Sequence, residues 1–147
     1  MKKILVFALL LLAFNAQSQT KYETEKWLEE KLYAFSGNSP YLHTFVKKVE
    51  VHNCEILVSI VVQETSSKQS LGYETIPISS LLSYAKYYNG VEDVYRFRGN
   101  IKWTLPSVEL NESNSIFFLI NVPDEMLERI QKALEHYRKL CGVNEPF

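Results

Sequence analysis

Residues Pro123–Gly142 read PDEMLERIQKALEHYRKLCG, and their periodicity decides what kind of fold the chain can build. Counting from Met126, apolar residues recur at Ile130, Ala133, Leu134, Tyr137, Leu140 and Cys141, one continuous helical face. Pro123 suits a helix start, and Asp124 and Glu125 complement the positive end of the helix dipole. Glu125/Arg129, Glu128/Lys132 and Glu135/Lys139 stand at four-residue spacing in the favourable orientation outside that face. Gly142 is suited to a left-handed cap. A helix with one apolar ridge must lie on something, and the rest of the chain has to supply that surface.

Upstream, from Thr44 to Val122, the period shifts towards two. Phe45, Val49 and Val51 mark a first strand, and His52-Asn53 is a tight connection into a long strand, Cys54–Gln63. Cys54, Ile56, Val58, Ile60 and Val62 share one face of it, while Leu57 and Val61 make the other partly apolar, the pattern of a central strand. Leu71–Ile78 is a third strand. Ser79–Tyr88, SSLLSYAKYY, reads as a short helical turn. Val94–Arg98 and Ile101–Leu105 flank Gly99-Asn100 as a hairpin would. Ser115–Val122 is the last strand. Before the strands, Thr20 and Glu23 have capping-box spacing, and Trp27, Leu28, Leu32 and Phe35 form a helical stripe with Glu25, Glu29 and Glu30 outside it. Ser36–Pro40 ends that helix. The expected fold is α+β: an antiparallel sheet or partial barrel of five to seven strands, with an N-terminal helix and a packed C-terminal helix.

The first residues, MKKILVFALLLLAFNAQSQT, have a basic start, an apolar stretch of leader length and small residues near Ser18. Residues 1–18 are expected to be a signal peptide and 19–147 a single domain, periplasmic or secreted. The apolar run is shorter than the ~20 residues that a spanning helix needs, so no membrane span is expected after cleavage. Cleavage would remove Lys2 and Lys3 from the 16 cations and none of the 17 acids. A mildly acidic domain with scattered charge is a poor nucleic-acid binder.

The two cysteines, Cys54 and Cys141, are candidates for a disulfide in an exported chain, the alternative being a pair of buried thiols. His136 precedes Cys141 by five residues, about 140° apart around the helix, so the two do not form a catalytic dyad. The three histidines are scattered rather than paired as zinc ligands would be. No nucleophilic-serine or glycine-rich phosphate motif occurs, and no cofactor is expected. Asn111-Glu112-Ser113 matches a glycosylation acceptor and marks a surface loop. Tyr84, Tyr87, Tyr88, Tyr95 and Trp103 are the candidate binding surface, since tyrosine buries area and keeps a polar tip; the alternative is that they cover one end of the sheet.

The ending ERIQKALEHYRKLCGVNEPF resembles the C-terminal signature of a group of small bacterial exported proteins of unknown function. Arg129, Lys132, Ala133, His136, Leu140, Cys141, Gly142, Pro146 and Phe147 carry the likeness, while Tyr137 stands where leucine is usual. Strands followed by one helix are also similar to pleckstrin-homology-like domains, which implies a scaffold for lipids or peptides and no catalysis. The leading expectation is a non-catalytic binding module of the periplasm or envelope, its partner a peptide, lipid or envelope protein. The alternatives are a small hydrolase or isomerase using a cleft carboxylate or histidine, and a structural component of an envelope complex.

Overall fold

The computed structural model describes residues 20–37, 44–63, 68–81, 83–88, 93–99, 101–104 and 114–143. The expected signal peptide, 1–18, and the Asn111–Ser113 acceptor lie outside them. The fold is α+β, with a helix at each end of a run of antiparallel strands.

Helix α1, Lys21–Ala34, starts at the expected capping box: Thr20 Oγ1 accepts from the Glu23 amide at 3.2 Å, and the Glu23 carboxylate accepts from the Thr20 amide at 2.8 Å. Those hydrogen bonds from the Thr20 backbone and side chain hold the Glu23 carboxyl below its usual range. Leu28 and Leu32 are wholly buried, as the stripe requires. Strands β1 (Thr44–His52), β2 (Glu55–Gln63) and β3 (Gln69–Pro77) form an antiparallel meander. The turn between β1 and β2 is Asn53-Cys54, both in the left-handed region at φ 51° and 63°. It therefore falls one residue later than the sequence pattern suggests, and Cys54 belongs to the turn rather than the strand.

Beyond β3 the chain departs from expectation twice. Ile78–Ser80 is a single 3-10 turn, and Ser83–Tyr88 is strand β4 rather than helix. Tyrosine-rich residues suit a strand once a neighbour supplies the ladder, and β5 (Asp93–Arg98) does so. The hairpin expected around Gly99-Asn100 is not formed. Both edges of β5 are occupied, by β4 on one side and β7 (Asn114–Ile120) on the other. Strand β6 (Lys102–Thr104) instead crosses to the free edge of β3. The strands thus form two sheets, ordered β1-β2-β3-β6 and β4-β5-β7, in place of one sheet or partial barrel.

The sheets are stitched where β7 is irregular. Its pairing with β5 jumps from Phe118 opposite Arg96 to Asn114 opposite Arg98, which leaves Phe117 without a register partner. The Glu74 carboxylate on β3, fully buried, accepts the Phe117 amide at 2.9 Å. The far edge of β7 is closed by the tail of α1: Gly37 donates to Phe118 O and Ile120 donates to Phe35 O, each at 2.9 Å.

Helix α2, Asp124–Leu140, buries Ile130, Leu134 and Tyr137 in the same core as Leu28, Ile56, Ile76 and Phe117. Leu140, expected on that ridge, is 39% exposed. In its place Arg138 is buried and donates to the carbonyls of Ile78 and Leu81, capping the 3-10 turn. Val143 N–H bonds Arg138 O at 2.9 Å and Gly142 N–H bonds Lys139 O at 3.0 Å, a Schellman cap with Gly142 at φ 77°. Outside, Glu128 and Lys132 pair at 2.6 Å, whereas Arg129 lies over the Trp27 indole, 5.5 Å from its centre. No helix among the described residues is long and apolar enough to cross a membrane.

Candidate functional site

Three places on the molecule gather chemistry. The first is the corner where both helices meet the β1–β2 turn. Cys54 and Cys141 are bonded, their Cα atoms 5.7 Å apart. The turn delivers Cys54 and the C-cap position of α2 delivers Cys141, so the bond pins the helix end to the hairpin. Tyr137, wholly buried one turn earlier, accepts the Cys54 amide at 3.0 Å and donates to Glu25 at 2.7 Å. Burial, with that bond to Glu25, pushes the Tyr137 hydroxyl above the usual tyrosine range. The Lys21 ammonium stands 3.1 Å from Cys54 Sγ and 5.8 Å from the centre of the Tyr137 ring. His136, half-buried, lines a groove of about 220 Å³ with Trp27, Arg129, Lys132 and Ala133, and the Cys141 sulfur is committed to Cys54.

The second place is the free edge of β1. Val51 points its N–H away from β2, and Glu29 on α1 takes it at 3.0 Å while pairing with Lys26 at 2.6 Å. Strand geometry turns the N–H and C=O of Val49, two residues earlier, the same way. Beside Val49 opens a groove of about 400 Å³ between α1 and β1, lined by Lys26, Glu29, Glu30, Tyr33, Lys47, Lys48 and Val49. Tyr33 is 51% exposed there. Glu30 pairs with Lys31 and Lys48 with Glu50, both at 2.7 Å. The hydrogen bond to Lys48 holds the Glu50 carboxyl below its usual range. A register shift between Val46 and Lys48 makes a bulge at Lys47. Bulges and lysines on an edge strand discourage indiscriminate pairing, so this edge is guarded rather than closed.

The third place is the outer face of the four-stranded sheet. Register aligns Phe45, Val61 and Leu71 in one row and Ser59 beside Tyr73 in the next. Phe45, Leu71 and Tyr73 are 46%, 42% and 38% exposed.

Of the five aromatic residues expected to make one surface, the structure describes the side chain of Tyr95 and the strand positions of the other four. Tyr95 is buried in the core, 2% exposed, rather than on a surface. Its hydroxyl and the Asp93 carboxylate, 3.1 Å away, push the Lys86 ammonium above its usual range. Tyr84 pairs with Phe97 and Tyr87 with Val94, positions of opposite parity on β5; Tyr88 pairs with Asp93. Trp103 lies in the other sheet, opposite Glu74. The side chains of Tyr84, Tyr87, Tyr88 and Trp103 lie outside the described parts of the structure. Sequence reasoning missed Lys21, Glu25, Glu29 and Tyr33. The only signal was that α1's glutamates lie off its apolar stripe, which says nothing of what they reach. Among the described residues no group of three or more His, Cys, Asp or Glu is placed to hold a metal ion. Compared with known proteins, the chain matches no family model, no curated relative and no solved structure.

Proposed function

We propose that this protein is an exported, disulfide-pinned binding module that takes an extended, acidic peptide segment along the free edge of β1. The observation carrying the proposal is the groove between α1 and β1, lined by the half-exposed Tyr33 and by Val49, whose backbone groups strand register turns away from β2. An added strand would take its affinity from those main-chain groups and its side-chain selectivity from the groove walls. Charge sets the partner's sign. Glu29 and Glu30 are neutralised by Lys26 and Lys31, whereas Lys47 faces the groove with no acidic partner among the described residues. Export is supported by the leader-like sequence and by the Cys54–Cys141 bond. The pleckstrin-homology-like likeness belongs to the same proposal, and antiparallel strands closed by a final helix support it.

The test is selection of peptides from a displayed random library against the purified chain, followed by hydrogen exchange on the complex. Acidic peptides that slow exchange around Lys47–Val49 are expected, with binding about tenfold weaker in Tyr33→Ala and Lys47→Glu and lost on N-methylation of the peptide backbone. Binders that map elsewhere, or binding only to anionic phosphatidylglycerol vesicles, would overturn the peptide reading.

A further inference from the structure

A disulfide is chemically symmetric until its surroundings distinguish the two sulfurs, and here they do. Cys54 Sγ has a lysine ammonium 3.1 Å away, carried by Lys21, the first residue of α1. Cys141 sits at the other end of the bond, at the C-terminal cap of α2, where the dipole is negative and Leu140 and Gly142 on either side are exposed. Both cysteines are half-buried, and Lys21 is exposed. Among the described residues, Glu25 on α1 and Tyr137 on α2 bond at this corner, and His52 and Glu55 flank the turn in sequence. Glu25 is engaged by the Tyr137 hydroxyl rather than by Lys21.

We propose that Cys54–Cys141 is a thiol–disulfide exchange site with a fixed direction, whose substrate class is a small thiol or dithiol of the exported compartment. The incoming thiolate attacks Cys141 Sγ. A new sulfur–sulfur bond forms there as the Cys54–Cys141 bond breaks, and the bonding pair leaves on Cys54 as a thiolate paired with the Lys21 ammonium. A second thiolate, from the same dithiol or another thiol molecule, then attacks the incoming sulfur and releases Cys141 as thiolate, which takes a proton from water. The protein gains two electrons and the thiol pair is oxidised to a disulfide. A lysine beside a cysteine lowers its thiol pKa, and a better leaving thiolate makes exchange faster and the disulfide easier to reduce. The released thiolate stays against α1, and the Tyr137 hydroxyl still holds the Cys54 amide, so the turn is kept in place while the end of α2 is freed.

The experiment equilibrates the full chain in glutathione buffers, quenches by alkylation and maps products by mass spectrometry. The expected mixed disulfide carries glutathione on Cys141. Lys21→Met should require an approximately tenfold more reducing buffer for half-reduction, equivalent to about one unit of Cys54 thiol pKa, with Lys21→Arg restoring most of it. Thiolate absorbance in a Cys141→Ser chain should place Cys54 below the free-thiol value of about 8.5. Glutathione found on Cys54, an unchanged half-reduction point in Lys21→Met, or an ordinary Cys54 thiol would each overturn the proposal. Because Lys21 is an exposed surface residue, the oxidised variant's thermal melt checks that its fold is retained.

Discussion

The carboxylate of Glu74 on β3 accepts the backbone N–H of Phe117 on β7, so one buried side chain completes the ladder that the bulged strand cannot. Removing an acceptor from a buried donor costs about 1–3 kcal/mol, and the cavity left by a shorter side chain adds to it. Glu74→Ala should therefore lower stability by roughly 2–4 kcal/mol in urea titration. Glu74→Gln keeps an acceptor oxygen and should lose less than half as much. Equal losses in the two variants would mean that packing, and not the acceptor, joins the sheets.

Tyr137 makes stability fall at alkaline pH. Its hydroxyl binds its proton more tightly folded than unfolded, so its contribution is complete below the ordinary tyrosine value of 10.0 and fades as pH rises above it. Tyr137→Phe should lose about 1–3 kcal/mol at neutral pH, because the Cys54 amide and Glu25 lose their partner. The variant should also lose part of the alkaline decline. Denaturation curves from pH 7 to 11, with tyrosinate absorbance as a second signal, check both.

Opening the Cys54–Cys141 bond enlarges the unfolded ensemble. With the cysteines 87 residues apart, the chain-entropy account sets a ceiling of about 4–5 kcal/mol. The double Cys→Ser variant should lose roughly 2–4 kcal/mol and still fold, since Ile130, Leu134 and Tyr137 keep α2 on the core. A chain that no longer folds cooperatively would show that the bond specifies the helix position as well as stabilising it.

Two glycines are needed for different reasons, and one pair of substitutions separates them. A Cβ on Gly37 would collide with the Phe118 ring and stand 2.8 Å from Ile120 Cγ2, so Gly37→Ala should cost about 1–3 kcal/mol by displacing β7. At Gly142 nothing lies within 4 Å of the added atom, and only the positive φ resists. Gly142→Ala should cost about 1 kcal/mol, and Gly142→Asn less. Thermal melts of the three variants give the order.

Signals that act within one turn of chain were legible before any coordinates. Thr20 with Glu23, the ridge Ile130–Leu134–Tyr137 and the Gly142 cap all lie where spacing places them, as do the main strands to within a residue or two. What was illegible is relational. Glu29 reaches Val51 across 22 residues and Tyr137 reaches Glu25 across 112, and no local pattern records such partners. The hairpin at Gly99-Asn100 failed for the same reason, because turn chemistry permits a hairpin but cannot say that both edges of β5 are already taken. Whether Cys54 and Cys141 join depends on a Cα separation that periodicity does not encode. Tyr95 looked like part of a surface because composition cannot tell a tyrosine buried in the core, with Lys86 over its ring, from one facing solvent.

The migration of β6 to the first sheet has a consequence for how the molecule is made and broken. The chain starts one sheet, lays two strands of the other, returns for a single strand and leaves again. No scission point therefore divides it into halves that each own a complete sheet. Neither layer can mature ahead of the other, and an internal deletion that removes β6 leaves the outer edge of β3 unpaired while β7 remains. Assembly must wait for distant segments to meet, which favours a slow, all-or-none transition over stepwise accretion.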